Sequence, residues 1–211
     1  MTMLRFITHP NVEIDPLVPV PRWSLNEQGR RKAEAMLRQP WVDAIGRVVS
    51  SDETKALETA QVLADHLQLS VEVRPDLAEI DRSSTGFIPT EQHERLADLL
   101  FAKPDRSADG WERAVDAQRR VVDAVSDLLS ERGADAGSGS GSGSTDLAVV
   151  GHGAVGTLLF CHLAGLAIDR NHDQPGQGHY WTYDRGTRSV THPWRPIEDL
   201  EPGGDHRYQP S

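Results

Sequence analysis

The chain has 211 residues, 37% of them apolar and 26% charged, and its 22 basic against 32 acidic residues give a net charge of -10. This length fits one α/β domain, and the acidic charge argues against nucleic acid or an anionic membrane as a partner. The single cysteine, Cys161, excludes an intrachain disulfide. No apolar run approaches the roughly 18 residues of a membrane span, and the start shows no signal-peptide pattern, so we expect a cytoplasmic protein.

The first predicted element is a buried strand. The β-favouring run Leu4–Ile7 leads directly into Thr8-His9-Pro10, which we expect to be a loop. A proline-rich stretch from Pro16 to Pro21 excludes a helix and a central strand. We therefore expect a second loop there, which also carries Arg22.

Capping residues indicate where the next two helices begin. Ser24 and Glu27 match a capping box, in which each side chain binds the backbone amide of the other, and so predict the first helix. The second strand is predicted over Arg47–Ser50. Ser51 or Asp52 is then expected to cap the helix that follows it.

The middle of the chain predicts one short strand, a polar loop and two helices. The strand is Val71–Val73, and the helices are Thr90–Phe101 and about Gly110–Arg132. The longer helix has a predicted buried stripe, which comprises Trp111, Val115, Gln118, Val122, Val125 and Leu129. We expect residues 81–118 to form a cap over the functional site.

A Gly-Ser repeat over residues 137–144 cannot pack into a core, so we expect it to be a flexible surface loop within one domain. The elements predicted after it are the strand Leu147–Val150, the helix Ala154–Ala164 and a hairpin of Tyr180–Tyr183 and Arg188–Thr191. This order predicts an α/β fold with a mainly parallel central sheet and helices on both faces. We expect a single domain over residues 1–211.

Two histidines follow predicted parallel strands. His9 comes after the first strand, and His152 comes after the last one, within Gly151-His152-Gly153. Because ligands of such sheets bind beyond the carboxyl ends of the strands, we expect both histidines to face one site. Lys55 lies one turn into the neighbouring helix, and Gly153 lets the backbone approach an anion at a helix amino terminus. A phosphoryl group fits this set of residues.

Four blocks of sequence extend this pattern. They are Phe6-Ile-Thr-His-Pro10, Ser24-Leu-Asn-Glu-Gln-Gly-Arg-Arg-Lys-Ala33, Val48-Val-Ser-Ser-Asp-Glu-Thr-Lys-Ala-Leu-Glu-Thr-Ala60 and Val149-Val-Gly-His-Gly153. In this order they resemble the histidine phosphatase superfamily, also called phosphoglycerate mutase-like. The resemblance implies that His9 is the nucleophile and that His152 stabilises the transferred phosphoryl group. It also implies Glu79 as the proton donor and Lys55 at the position of a phosphate-binding arginine.

The chain departs from the family pattern at two cationic positions. The arginine before the nucleophile is Thr8, and the arginine on the helix after the second strand is Lys55. Thr8 offers a hydroxyl and Lys55 a point charge in place of a planar fork. Each lost charge-assisted hydrogen bond is worth about 1.5–3 kcal/mol, which together could slow the reaction by a factor on the order of 10²–10⁴. Arg82 first, and then Arg22, are the cations that we expect to fill this gap.

Three functions remain open from the sequence. The first is hydrolysis of a small phosphorylated molecule through a phosphohistidine, without metal or cofactor, in which Asp81 is an alternative to Glu79 as the proton donor. The second is a phosphomutase. It is disfavoured because a mutase excludes water with longer covering segments, and this chain is short there. The third is a catalytically impaired relative that binds a phosphorylated ligand or a protein partner, as the changes at Thr8 and Lys55 suggest. The sequence leaves a monomer and a homodimer open.

Overall fold

A computed structural model describes residues 2–131 and 145–200, so the Gly-Ser repeat lies outside the described residues. The strands are β1 (Met3–Thr8), β2 (Ile45–Ser50), β3 (Val71–Val73), β4 (Asp146–Gly151), β5 (His179–Asp184) and β6 (Ser189–Pro196). They form one sheet in the order β3-β2-β4-β1-β5-β6. The first four in this order are parallel, whereas β5 and β6 are antiparallel to their neighbours.

Helices pack on both faces of this sheet. They are α1 (Glu27–Met36), α2 (Thr54–Leu67), α3 (Thr90–Ala102), α4 (Ala114–Ser130) and α5 (Gly153–Ala164). Buried residues of α1 and α2 join one apolar cluster, and those of α3, α4 and α5 join another on the opposite face. The predicted α/β fold, with a mainly parallel sheet covered on both faces, is confirmed.

The two central strands explain the continuous apolar runs of the sequence. β1 and β4 have strands on both sides and helices on both faces, so nearly every position along them is buried. Phe6 packs into the cluster with α5, and its neighbour Ile7 packs into the cluster with α2. In their register Thr8 lies opposite Gly151, so the two strands end at the same level. The residues that follow them therefore lie side by side.

The first helix starts at a different cap from the one predicted. Asn26, rather than Ser24, is the cap, and its side chain accepts a hydrogen bond from the amide of Gly29 at 2.9 Å. The reason is that Leu25 forms a β-bridge with Val12, which keeps the chain extended through the predicted first turn.

The cap predicted for α2 is also wrong. Neither Ser51 nor Asp52 occupies the capping position, which belongs to Glu53. The side chain of Glu53 makes no capping hydrogen bond, and the hydroxyl of Ser51 is instead 2.7 Å from a ring nitrogen of His152. Both side chains therefore point into the region of the site.

The predicted long helix begins later than expected. Asp109 and Gly110 have φ values of 53° and 84°, which belong to the left-handed region and cannot continue a right-handed helix. Trp111 consequently lies before α4, where its indole donates to the Thr85 hydroxyl at 2.9 Å. The buried face of α4 consists of Ala114, Ala117, Val121, Ala124, Val125 and Leu128, so the predicted stripe is correct only in part.

Candidate active site

The two histidines predicted to share a site do meet in the structure. The amide of His9 donates to the carbonyl of Gly151 at 3.1 Å, which ties the end of β1 to the end of β4. The ring centroids of His9 and His152 are 5.3 Å apart, with their planes at 64°. His9 is 8% exposed and His152 is fully buried. The site therefore lies at the carboxyl edge of the central strands.

The surroundings of His9 favour its neutral form. Its Nδ1 lies 2.9 Å from the carbonyl oxygen of Pro10, and a carbonyl can only accept, so Nδ1 carries the hydrogen. Burial, reinforced by the positive charge of Lys55, lowers the pKa of His9 to about 4. Near neutral pH the ring is therefore uncharged, and Nε2 has the free electron pair that a nucleophile needs.

His152 is held by the segment that follows β2. Its Nε2 is 2.7 Å from the Ser51 hydroxyl and 3.5 Å from Oε1 of Glu53. Burial lowers the pKa of His152 well below its ordinary value, although the charge of Glu53 opposes this change. Its Nδ1 is buried and has no hydrogen-bond partner in the described part of the chain.

Lys55 is buried at the site, but a carboxylate neutralises its charge. Its ammonium forms a salt bridge with Glu53 and donates to the carbonyl of Val20 at 3.0 Å. Glu53 also accepts from the amide of Glu79 at 3.0 Å. Burial works against ionisation of Glu53, yet its interactions with His152 and Lys55 lower its pKa to about 2. Sequence reasoning missed Glu53, and the only signal for it was an acidic residue two positions before Lys55.

Glu79 occupies the amino terminus of α5. Its Oε2 accepts from the amide of Ala154 at 3.1 Å, and its Oε1 accepts from the amides of Val155 and Ile80 at 3.2 and 2.9 Å. The expectation that these helix amides are free for a phosphoryl group is therefore wrong. Burial raises the pKa of Glu79, while Arg82 opposes this rise. A carboxyl group with a raised pKa is suited to donate a proton.

The hydroxyl of Thr8 is already engaged. It donates to Oε1 of Gln174 at 2.6 Å and accepts from the amide of His179 at 3.0 Å. The amide nitrogen of Gln174 covers Gly153, where an added Cβ would lie only 2.4 Å from it. Thr8 thus holds Gln174 over the start of α5, an arrangement that the sequence did not reveal.

Arg82 remains the best placed cation. Its guanidinium lies 5.5 Å from the ring centroid of Trp111, and its charge contributes to the lowered pKa of His9 after burial and Lys55. Within residues 2–131 and 145–200 it forms no salt bridge. Arg22, by contrast, is exposed in the short turn Val20–Arg22, which reaches the site through the carbonyl that binds Lys55.

Asp81 is a poor alternative to Glu79. It is exposed, and the amide of Ser83 donates to it at 2.8 Å, which lowers its pKa. A carboxylate with a lowered pKa remains ionised and has no proton to give near neutral pH.

A cavity of about 460 Å³ adjoins Glu79 and the predicted cap. It is lined by Pro75, Ala78, Glu79, Asp81, Gly110, Trp111, Glu112 and Arg120. Arg120, which sequence reasoning missed, binds both oxygens of Glu112 and donates to the carbonyls of Asp76 and Ala78 at 3.0 and 2.9 Å. It therefore fixes the backbone of the loop that leads to Glu79.

The described residues contain neither a metal cluster nor a membrane-spanning helix. No three or more histidine, cysteine, aspartate or glutamate side chains among them are arranged to hold a metal ion. None of their helices is both long and apolar enough to span a membrane. The cytoplasmic location and the absence of a metal stay predictions, and the oligomeric state stays open.

Comparisons with known proteins point to one family. The model of the histidine phosphatase superfamily (branch 1) matches residues 17–183. Among curated proteins, none matches the chain significantly.

Solved structures show the same architecture. The chain is similar to mycobacterial glucosyl-3-phosphoglycerate phosphatase in complex with inorganic phosphate, with a TM-score of 0.73 and 20% identity over 94% of this chain and 100% of that one. Mycobacterial hydrolase 1 gives a TM-score of 0.72 and 20% identity over 92% and 95% of the two chains. YhfR of Bacillus stearothermophilus gives a TM-score of 0.67 and 18% identity over 88% of this chain and 93% of that one. At these identities the likeness shows the fold.

Proposed function

Because the chain belongs to the histidine phosphatase superfamily, we propose that it hydrolyses a small phosphomonoester through a phosphohistidine formed on His9. The proposal rests on one observation: His9, whose Nδ1 is bound to the carbonyl of Pro10, lies beside His152 at the carboxyl edge of the sheet. Glu79 supplies a carboxyl group of raised pKa, bound to the amide of Ala154 two residues after His152. These three residues are sufficient for a nucleophile, a stabilising group and a proton donor.

In the first step, the Nε2 electron pair of His9 attacks phosphorus, and the bond from phosphorus to the ester oxygen breaks. The proton of Glu79 passes to the departing oxygen, so the alcohol leaves uncharged. Oε2 of Glu79 accepts only one backbone hydrogen bond, and it is therefore the oxygen that can carry this proton. The Nδ1–H of His9 keeps its bond to Pro10 and stabilises the positive ring that forms.

In the second step, water attacks the phosphohistidine. The ionised Glu79 takes a proton from this water, the phosphorus–nitrogen bond breaks, and His9 returns to its neutral form. Glu79 is then protonated again, so the cycle needs no further acid or base. We place the rest of a small substrate in the cavity of about 460 Å³ that Glu79 lines, although neither histidine lines it.

Arg82 is proposed as the main cation for the phosphoryl oxygens. Lys55 is balanced by Glu53, and the Thr8 hydroxyl is bound to Gln174, so neither has its full capacity for an anion. Arg82 has no such partner among the described residues, and its positive charge contributes to the lowered pKa of His9. Rotation of its side chain from Trp111 towards the histidines would place a planar donor on the phosphoryl group.

A second candidate function is phosphate-ligand binding with little turnover. The same engaged groups support it, since the amides at the start of α5 are also occupied, by Glu79. In this case the site holds a phosphorylated molecule or a partner's phosphate, and the rate of hydrolysis is far below that of an enzyme.

Turnover of p-nitrophenyl phosphate and a panel of phosphorylated metabolites separates these functions. We expect hydrolysis by the natural protein, its loss in His9→Ala, and no change in the control His66→Ala, which alters an exposed residue of α2. Unchanged hydrolysis in His9→Ala would contradict the proposal. Binding of inorganic phosphate without turnover would support the second function, and transfer to added glycerate without phosphate release would indicate a mutase.

A further inference from the structure

We propose that Glu53 is a positioning residue, which holds Lys55, His152 and Glu79 of the site in place. It also neutralises the charge of Lys55. The proposal rests on the phosphatase function for its effect on turnover. Its effect on phosphate binding stands independently of turnover.

The carboxylate of Glu53 contacts three separate parts of the site. One oxygen binds the ammonium of Lys55, and the other accepts from the amide of Glu79 at 3.0 Å and lies 3.5 Å from Nε2 of His152. Glu53 is only 7% exposed, so it is shielded from water by the groups that it joins. These contacts link α2, the loop before the cavity and the end of β4.

A purely local role does not account for this side chain. Glu53 occupies the capping position of α2, but it makes no capping hydrogen bond, although an acidic side chain is favoured there. Its carboxylate is turned into the site instead. A buried ion pair gains little stability over an apolar pair of the same size, so packing alone gives no reason for it.

The charge of Glu53 has a consequence for phosphate. A free ammonium at Lys55 would attract the substrate and the product phosphate about as strongly as the transition state, which slows product release without speeding the chemistry. The salt bridge with Glu53 reduces this attraction while it keeps Lys55 in place. The site therefore binds free phosphate weakly and reserves its interactions for the reaction.

The test compares Glu53→Gln, Glu53→Asp and a control, Asp65→Asn, which removes an exposed carboxylate from the same helix. Inorganic phosphate is titrated by calorimetry, and p-nitrophenyl phosphate gives kcat and KM. For Glu53→Gln we expect phosphate to bind on the order of tenfold more tightly, because a buried negative charge is removed. Its KM falls as well, and its kcat falls because product phosphate leaves more slowly and the contacts that hold the site are lost.

Glu53→Asp separates charge from position and also covers the case in which Glu53→Gln does not fold. It keeps the charge on a shorter side chain, so we expect unchanged phosphate affinity together with a reduced kcat. Circular dichroism and thermal unfolding report whether each variant is folded.

The proposal is overturned if phosphate binds folded Glu53→Gln no more tightly than the natural protein, or if neither protein binds phosphate. It is also overturned if kcat changes only in proportion to the folded fraction, as for a structural role. Tighter phosphate binding by Glu53→Gln supports it even when no substrate is turned over. Hydrolysis that persists in His9→Ala counts against the proposed function alone.

Discussion

Replacement of Glu79 by glutamine removes the proposed proton donor and leaves the size of the side chain unchanged. A positioned general acid contributes roughly 10²–10⁴-fold to a rate, equivalent to about 3–5 kcal/mol of activation free energy. We therefore expect kcat/KM, which reports the steps up to departure of the alcohol, to fall by about this factor for an alkyl phosphomonoester such as glycerol phosphate. For p-nitrophenyl phosphate the loss of kcat/KM is much smaller, because its leaving group departs readily without a proton.

The contacts of Glu79 also predict a loss of stability. Both of its oxygens accept backbone hydrogen bonds, from Ile80, Ala154 and Val155. The NH2 group of a glutamine would face at least one of these backbone N–H groups, and both are donors. The lost hydrogen bond costs about 1–3 kcal/mol. For a chain of this length we expect Tm to fall by roughly 2–12 °C.

The pH dependence gives a third measure of the same residue. His9 must be neutral, so activity rises as the pH passes its pKa of about 4. Glu79 must carry a proton, so activity falls as the pH passes its raised pKa. In Glu79→Gln the decline at higher pH disappears, because no proton is left to lose.

The assay is initial-rate hydrolysis of both esters from pH 3.5 to 8, with the folded fraction checked by circular dichroism. Equal losses of kcat/KM on glycerol phosphate and p-nitrophenyl phosphate would contradict this role, because they would show that Glu79 does not protonate the leaving group. An unchanged decline at higher pH in Glu79→Gln would refute it as well.

Three further substitutions test separate parts of the structure. Arg82→Ala is expected to lower kcat/KM by about 10–100-fold, because one charge-assisted contact is lost. The control Arg119→Ala, on the exposed face of α4, leaves kcat/KM unchanged, and equal effects of the two would contradict the role of Arg82. Arg120→Ala removes the clamp on the loop before the cavity and is expected to cost about 2–4 kcal/mol in urea unfolding, and a loss below about 0.5 kcal/mol would argue against the clamp. Gly29→Ala places a Cβ 2.0 Å from a backbone carbonyl of the facing loop and should lower the free energy of unfolding by about 1–3 kcal/mol. In the control Gly176→Ala the Cβ meets only an atom at 3.9 Å, and similar Tm values for the two variants would contradict this packing.

The sequence predicts most of the fold because the apolar runs of the central strands are nearly continuous. Short runs of this kind are typical of strands covered on both faces, and the two histidines stand directly after two of them. Their meeting follows from the register of the strands, in which Thr8 lies opposite Gly151. The helix starts were less predictable, since a bridge at Leu25 and left-handed residues at Asp109 and Gly110 moved two of them.

The inner contacts of the site were not predictable from local patterns. Glu79 meets Ala154 across 75 positions, Glu53 meets Glu79 across 26, and Thr8 meets Gln174 across 166. Each contact depends on side-chain rotamers that only the assembled fold selects. The family resemblance indicated Lys55 and Thr8 as ligands of an anion. It carried no information about Glu53, which neutralises Lys55, or about Gln174, which binds Thr8.

A covalent phosphohistidine at His9 is central to the proposed mechanism, and mass spectrometry after an alkaline rapid quench detects it. Alkali preserves a phosphorus–nitrogen bond to imidazole, so a phosphoryl group captured during turnover of p-nitrophenyl phosphate remains on its residue. We predict one phosphoryl group on the peptide that contains His9, and none in His9→Ala, which also loses turnover. Steady turnover without any phosphorylated protein, or a phosphoryl group on another residue, would contradict the account.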